Sequence, residues 1–172
     1  MNKHLIVLVI SLFINACGRI HKSDNFNYFQ DFESIKGWVE MPALSTEIKG
    51  HSGNYSILTN AHFDYSPGFT CKVKELDKSI KKIRASVWCY SADRKANGSF
   101  CIQIVNPLNQ NILWVDRLFV DFIKSENSWT KTVMEADIPK EALEGENTLK
   151  VFLWNKGKIP VYGDDMEVVF SE

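Results

Sequence analysis

Leu149-Lys150-Val151-Phe152-Leu153-Trp154-Asn155, then a Lys-Gly turn and Ile159 through Phe170, is the stretch on which the reading of the fold turns. In its first part Leu149, Val151 and Leu153 alternate with Lys150, Phe152 and Trp154, the period of two that a pleated strand imposes. The turn predicts that the two parts pair as a hairpin. In the second part Asp164 and Asp165 stand side by side just before Met166-Glu167-Val168-Val169-Phe170. Carboxylates are depleted inside strands, so a pair at a strand start points to a cation or to a hydrogen-bonded loop.

The same pattern runs outward through the chain. Lys82 to Ser91 is the clearest strand, with Ile83, Ala85, Val87 and Cys89 on one face and Arg84, Ser86, Trp88 and Tyr90 on the other. Asn97-Gly98 is a hairpin signal that predicts a return through Phe100 to Val105. Further strands are predicted at Phe29–Glu33, Trp38–Met41, Tyr55–Leu58, Phe69–Val73, Ile112–Phe119 and Trp129–Met134, with Pro42 and Pro139 as terminators. Residues 140–146 suit one helical turn. Short strands, frequent turn residues and no long amphipathic helix predict an all-β protein, an antiparallel β-sandwich. Trp38 and Trp129 are read as core.

The N-terminus is different in kind. Met1-Asn2-Lys3-His4 is followed by an apolar run from Leu5 to Ile14, which is of signal-peptide length and too short to span a bilayer. It ends in Ile14-Asn15-Ala16-Cys17. This resembles the bacterial lipoprotein signal, with Asn15 standing where a small neutral residue is usual. The resemblance implies cleavage after residue 16, a diacylglyceryl thioether on Cys17, and a lipid-anchored protein of the bacterial cell envelope. Residues 1–16 are then a signal peptide, 17–25 a polar tether and 26–172 a single domain. Two or three acyl chains anchor stably where one is marginal.

Composition narrows the function. Net charge is −1 and Lys and Glu are mixed along the chain, so no basic patch marks a nucleic-acid partner. His21, His51 and His62 lack metal-ligand spacing, and no Gly-x-Ser-x-Gly or Cys-His constellation appears. Asp164 and Asp165, as strand neighbours, point to opposite faces and make a poor acid pair. The expectation is a protein that is not an enzyme. After Cys17 three cysteines remain, Cys71, Cys89 and Cys101, so at least one is free or bonded between molecules. Cys89 and Cys101 fall on strands expected to be neighbours and are candidates for a cross-strand disulfide. The simpler reading is that both are small buried hydrophobes.

Several short motifs occur in a telling order: Phe32-Glu33, His51-Ser52-Gly53-Asn54-Tyr55-Ser56, Ala85-Ser86-Val87-Trp88, Trp129 and Asp164-Asp165. Together they resemble the galactose-binding-like jelly rolls that include many carbohydrate-binding modules. The resemblance covers about Phe26 to Phe170 and implies a jelly-roll sandwich with a non-catalytic binding role. It also implies a structural Ca²⁺ held by Glu33, Asp164 and Asp165 with carbonyls of the 50–53 turn. For a glycan, Arg84, Trp88 and Tyr90 share one strand face, and Phe152 and Trp154 share another. If both faces lie on one concave sheet, they form an aromatic cleft edged by Arg84, with Trp114 a lesser candidate. Carbohydrate is thus the leading ligand. The alternative is a structural or assembly lipoprotein whose sandwich contacts an envelope protein.

Overall fold

A computed structural model describes residues 26–33, 44–45, 48 and 50–172. The expected signal peptide, tether, Cys17 and the segment around Trp38 lie outside the described residues. Among the described residues ten strands form two antiparallel sheets. The first sheet has six strands: β1 (Phe26–Gln30), β2 (Leu44–Ser45), β3 (Ser56–Thr59), β5 (Lys82–Tyr90), β8 (Thr130–Asp137) and β10 (Val161–Ser171). Its order is β2-β3-β10-β5-β8, and β1 also pairs with β10. The second sheet has four strands in the order β4 (Phe69–Lys72), β9 (Thr148–Asn155), β6 (Gly98–Val105) and β7 (Asn111–Leu118).

Alternation drives this arrangement. From β5, Ile83, Ala85, Val87 and Cys89 are all fully buried, as their spacing predicts. From the facing sheet, Phe100, Ile102 and Ile104 of β6 and Leu149, Val151 and Leu153 of β9 are buried as well. Val161, Met166, Val168 and Phe170 of β10 join them, so two apolar faces meet across one core. Each such side chain contributes about 1.5–3 kcal/mol of hydrophobic stabilisation. A short helix, Phe119–Phe122, inserts Phe119 and Phe122 beside this core.

Two expected hairpins are absent. β9 and β10 lie in opposite sheets, and so do β5 and β6. Hairpin pairing would put the apolar faces of β9 and β10 side by side; stacking them covers each with the other. Both edges of β9 are also already taken, by β4 and β6. The crossing is pinned at Asn155, whose amide side chain donates to the carbonyls of Thr59 (3.2 Å) and Ile159 (2.9 Å). Cys89 points into the core, whereas Cys101 lies on the outer face of the other sheet beside Phe152 and Asp116, so the Cys89–Cys101 bridge has no basis, and Cys71, Cys89 and Cys101 are free thiols. Burial raises all three thiol pKa values, to about 12 for Cys71 and Cys101, which keeps them protonated and unreactive.

The hairpin that does form joins β6 to β7. Its turn is closed by Asn106, whose side-chain oxygen accepts from the amides of Leu108 (2.9 Å) and Gln110 (3.0 Å). Asn109 takes the left-handed conformation there, at φ 58°. The expected helical turn is a 3-10 turn at Lys140–Leu143.

Candidate functional site

The two groups of predicted ligand contacts are on opposite sides of the molecule. Arg84, Trp88 and Tyr90 project from β5 onto the outer face of the six-stranded sheet. Trp154 projects from β9 onto the outer face of the four-stranded sheet. They therefore do not share a cleft. Sheet membership decides this, and alternation within a strand carries no information about it.

On the six-stranded side the aromatic groups are occupied by the protein itself. His51 stacks on Trp88 with ring centroids 3.8 Å apart and planes 13° from parallel. Its Nδ1–H donates to Asp165 Oδ2 at 2.6 Å, which fixes the ring over the indole. Tyr90 donates its hydroxyl to Asn127 Oδ1 at 3.0 Å. Arg84 lies 3.3 Å from Glu135 in an exposed pair of the kind that contributes little. Trp129, read as core, is half-buried on this same outer face against Tyr90, at 5.6 Å between centroids. It precedes β8 on the outward side of the sheet, so its ring has no access to the interior.

The adjacent acids have a structural cause. β10 pairs first with β3 and then with β1 along one edge, and a bulge between Asp164 and Glu167 marks the change of partner. Asp165 sits in it at φ 47°. The 50–55 turn docks on this bulge. Ser52 N–H donates to Asp164 Oδ2 (2.9 Å), and the Ser52 hydroxyl donates to Asp165 Oδ1 (2.7 Å). Glu33 Oε1 accepts from the amides of Asn54 (2.6 Å) and Tyr55 (2.7 Å). Gly53 faces that carboxylate at φ +63°, where any Cβ would strike Glu33.

Glu33, Asp164 and Asp165 are thus neighbours of one turn but do not converge as a ligand set. Among the described residues no three His, Cys, Asp or Glu side chains form a metal-binding group. What converges is Asp164 with two carbonyls of the turn. A Cβ on Gly50 would collide with the carbonyl oxygens of Ser52 and Tyr55 and come within 2.8 Å of Asp164 Oδ2. One carboxylate and two carbonyls facing a single small space are the donor types that a Ca²⁺ ion takes. Asp164 is fully buried. That burial pushes its pKa up to about 6, with the Asp165 charge adding to the effect and the Ser52 and Asp165 amides opposing it. Of the expected donors, Asp164 and the Ser52 carbonyl therefore converge, joined by the Tyr55 carbonyl, while Glu33 and Asp165 are engaged with the turn instead.

The outer face of the four-stranded sheet holds an open aromatic groove. Register sets its rows. Thr70, Lys150, Gln103 and Trp114 lie abreast; Phe152, Cys101 and Asp116 form the next row; Trp154 and Ser99 follow, with Tyr65 bridged to Trp154. Ser99 and Cys101 are small, which lets the flanking rings lean together over β6. Trp114 meets Trp154 edge-on at 5.5 Å and Phe152 at 6.2 Å. Tyr65 lies parallel to Trp154 at 6.1 Å and edge-on to Phe152 at 5.7 Å. A cavity of about 340 Å³ opens here, with Tyr65, Trp114 and Phe152 as aromatic walls and Ser66, Thr70, Gln103 and Lys150 as polar groups. Small-molecule pockets typically measure roughly 300–1,000 Å³ and combine apolar walls with a few polar groups.

Tyr65 escapes the sequence reading because it lies in a loop outside any periodic strand. Trp114 is undervalued because its place depends on the pairing of β7 with β6. One signal was available: Lys150, Phe152 and Trp154 form the outward face of β9, and two aromatic rings there have no core to enter.

Known structures share this architecture. No protein-family model and no curated protein sequence matches the chain. Among solved structures, it is similar to the CBM22-1 xylan-binding domain of Paenibacillus barcinonensis Xyn10C, with TM-score 0.56, 11% identity, and coverage of 84% of this chain and 94% of that one. The C-terminal family 22 carbohydrate-binding module of Clostridium thermocellum Xyn10B superposes with TM-score 0.54 at 16% identity, over 84% of this chain and 92% of that one. A family 16 carbohydrate-binding module superposes with TM-score 0.53 at 13% identity, covering 81% and 94%. Identity this low speaks to fold alone. The chain is a β-sandwich of jelly-roll type, built like these carbohydrate-binding modules.

Proposed function

We propose that this protein is a non-catalytic carbohydrate-binding module that takes a glycan along the outer face of its four-stranded sheet. The observation that carries the reading is the groove of Tyr65, Trp114, Phe152 and Trp154, with Thr70, Gln103 and Lys150 beside the rings. Pyranose faces lie on aromatic rings through their C–H groups, and the amide, hydroxyl and ammonium groups meet the sugar hydroxyls. Two similar folds, a xylan-binding domain and a family 22 carbohydrate-binding module, support the same class of ligand.

The reading includes two further parts. Asp164, with the carbonyls of Ser52 and Tyr55, would hold a Ca²⁺ ion that neutralises the buried carboxylate and staples the 50–55 turn to β10. Cys17, acylated after signal cleavage, would tether the module to a bacterial membrane and present it in the cell envelope. The test of the binding role is affinity electrophoresis of the full chain through gels containing xylan or mixed-linkage β-glucan. Retardation that Trp114→Ala abolishes supports the groove. Retardation that persists in Trp114→Ala but disappears in Trp88→Ala would move the site to the other face.

A further inference from the structure

We infer that the groove selects acidic glycans, those carrying uronic acid carboxylates, over neutral ones. This rests on the binding role proposed above and names the ligand class for the same site. The groove continues past the Tyr65–Trp154 stack into a second cavity of about 470 Å³, lined by Asp64, Tyr65, Trp154, Lys156 and Lys158 among others. Lys150 stands in the first cavity and Lys156 and Lys158 in the second.

Among the described residues none of the three lysines forms an ion pair. The ion pairs among the described residues join His51 to Asp165, Lys74 to Glu146 and Arg84 to Glu135, and none of them involves Lys150, Lys156 or Lys158. Lys150 is half-buried, with neutral Thr70 and Gln103 as its cross-strand neighbours. Lys156 holds its ammonium 4.1 Å over the Trp154 ring, so a cation already lies on the surface where a sugar would stack. Two carboxylates share this face, Asp116 and Asp64. Asp116 accepts the Ser99 hydroxyl at 2.7 Å, and Asp64 is exposed in the lining of the second cavity. The chain as a whole carries a net charge of −1, so this local excess of cations is not a general property of the surface. A sugar ring stacked on Trp154 or Tyr65 would place a C6 carboxylate within reach of these ammonium groups. A neutral hexose or pentose would offer them hydroxyls only, with no opposite charge.

The experiment compares acidic polymers with their own carboxyl-reduced forms: glucuronoxylan, polygalacturonate and alginate, each against its reduced partner, by affinity electrophoresis of the full chain. At low salt at least one acidic polymer should bind roughly threefold or more tightly than its reduced form, since exposed ion pairs contribute modestly. The ratio should fall toward one at high salt, because exposed charges are screened. It should also fall toward one in the Lys150→Gln/Lys156→Gln double variant and survive in Lys150→Arg/Lys156→Arg. Equal binding of both members of every pair overturns the inference and leaves the binding role intact. A preference unchanged by salt and by the glutamine variant also overturns it. Failure to bind any polymer overturns the binding role and the inference together. The salt series on the unaltered chain does not depend on how the variants fold.

Discussion

Removal of the charge on Asp164 by Asp164→Asn should raise stability in the absence of divalent cations and lower it in their presence. The carboxyl is fully buried, and its pKa is pushed up to about 6. A folded-state pKa above the unfolded value means that the native protein holds this proton more tightly than the unfolded chain does. The stability that follows is fully present below about pH 4 and is lost as pH rises through about 6. A displacement of about two pH units corresponds to roughly 3 kcal/mol at neutral pH. Asparagine avoids that penalty but offers one acceptor oxygen where aspartate serves both Ser52 N–H and Asp165 N–H, a loss of about 1 kcal/mol. The variant should therefore gain about 2 kcal/mol at neutral pH in EGTA, or roughly 4–8 °C in melting temperature for a domain of this size. The assay is thermal melting by circular dichroism from about pH 4 to about pH 8, with the two proteins in parallel so that their difference isolates this one group. In millimolar Ca²⁺ the order should reverse, because a ligand of the native state stabilises by mass action and asparagine binds the ion poorly. A variant less stable than the parent in EGTA at neutral pH would refute the argument about burial. Melting curves indifferent to Ca²⁺ in both proteins would refute the cation.

Other outcomes follow from the same geometry. Trp114→Ala should weaken glycan retention roughly tenfold or more, since a tryptophan anchor commonly contributes about 2 kcal/mol, whereas Trp88→Ala should leave retention unchanged. Ile102→Ala removes a fully buried side chain between the partners of β6 and should destabilise the protein by about 2–5 kcal/mol, measured by urea unfolding. Gly53→Ala forces a Cβ toward Glu33 at φ +63° and should lower the melting temperature, while Ser52→Ala, which removes one hydroxyl bond to Asp165, should lower it less. Expression of Cys17→Ser in a bacterial host should abolish incorporation of a labelled fatty acid that the unaltered chain acquires; equal labelling of both would remove the lipid anchor.

Much of the architecture was legible one strand at a time. The alternation of β5, the Asn106–Asn111 turn and the period of Leu149-Val151-Leu153 are local properties, set by which side chains can enter an apolar interior and which backbone angles a turn requires. They determined the all-β class, the inward faces and the sandwich. The adjacency of Asp164 and Asp165 pointed to a cation or a hydrogen-bonded loop at a strand start; the pair lies inside β10, at a bulge on which the 50–55 turn docks. Alternation repeats identically whichever sheet a strand joins, so pairing remained open. Only the tertiary structure decided that β9 and β10 cross the core, that Cys89 and Cys101 lie apart, and that Trp88 and Trp154 face opposite sides. It alone brought Tyr65, Trp114, Phe152 and Trp154 around one groove, because contacts between residues so far apart in the chain depend on strand order and register. The residues at each position carry the chemistry; the order of the strands decides which of them meet.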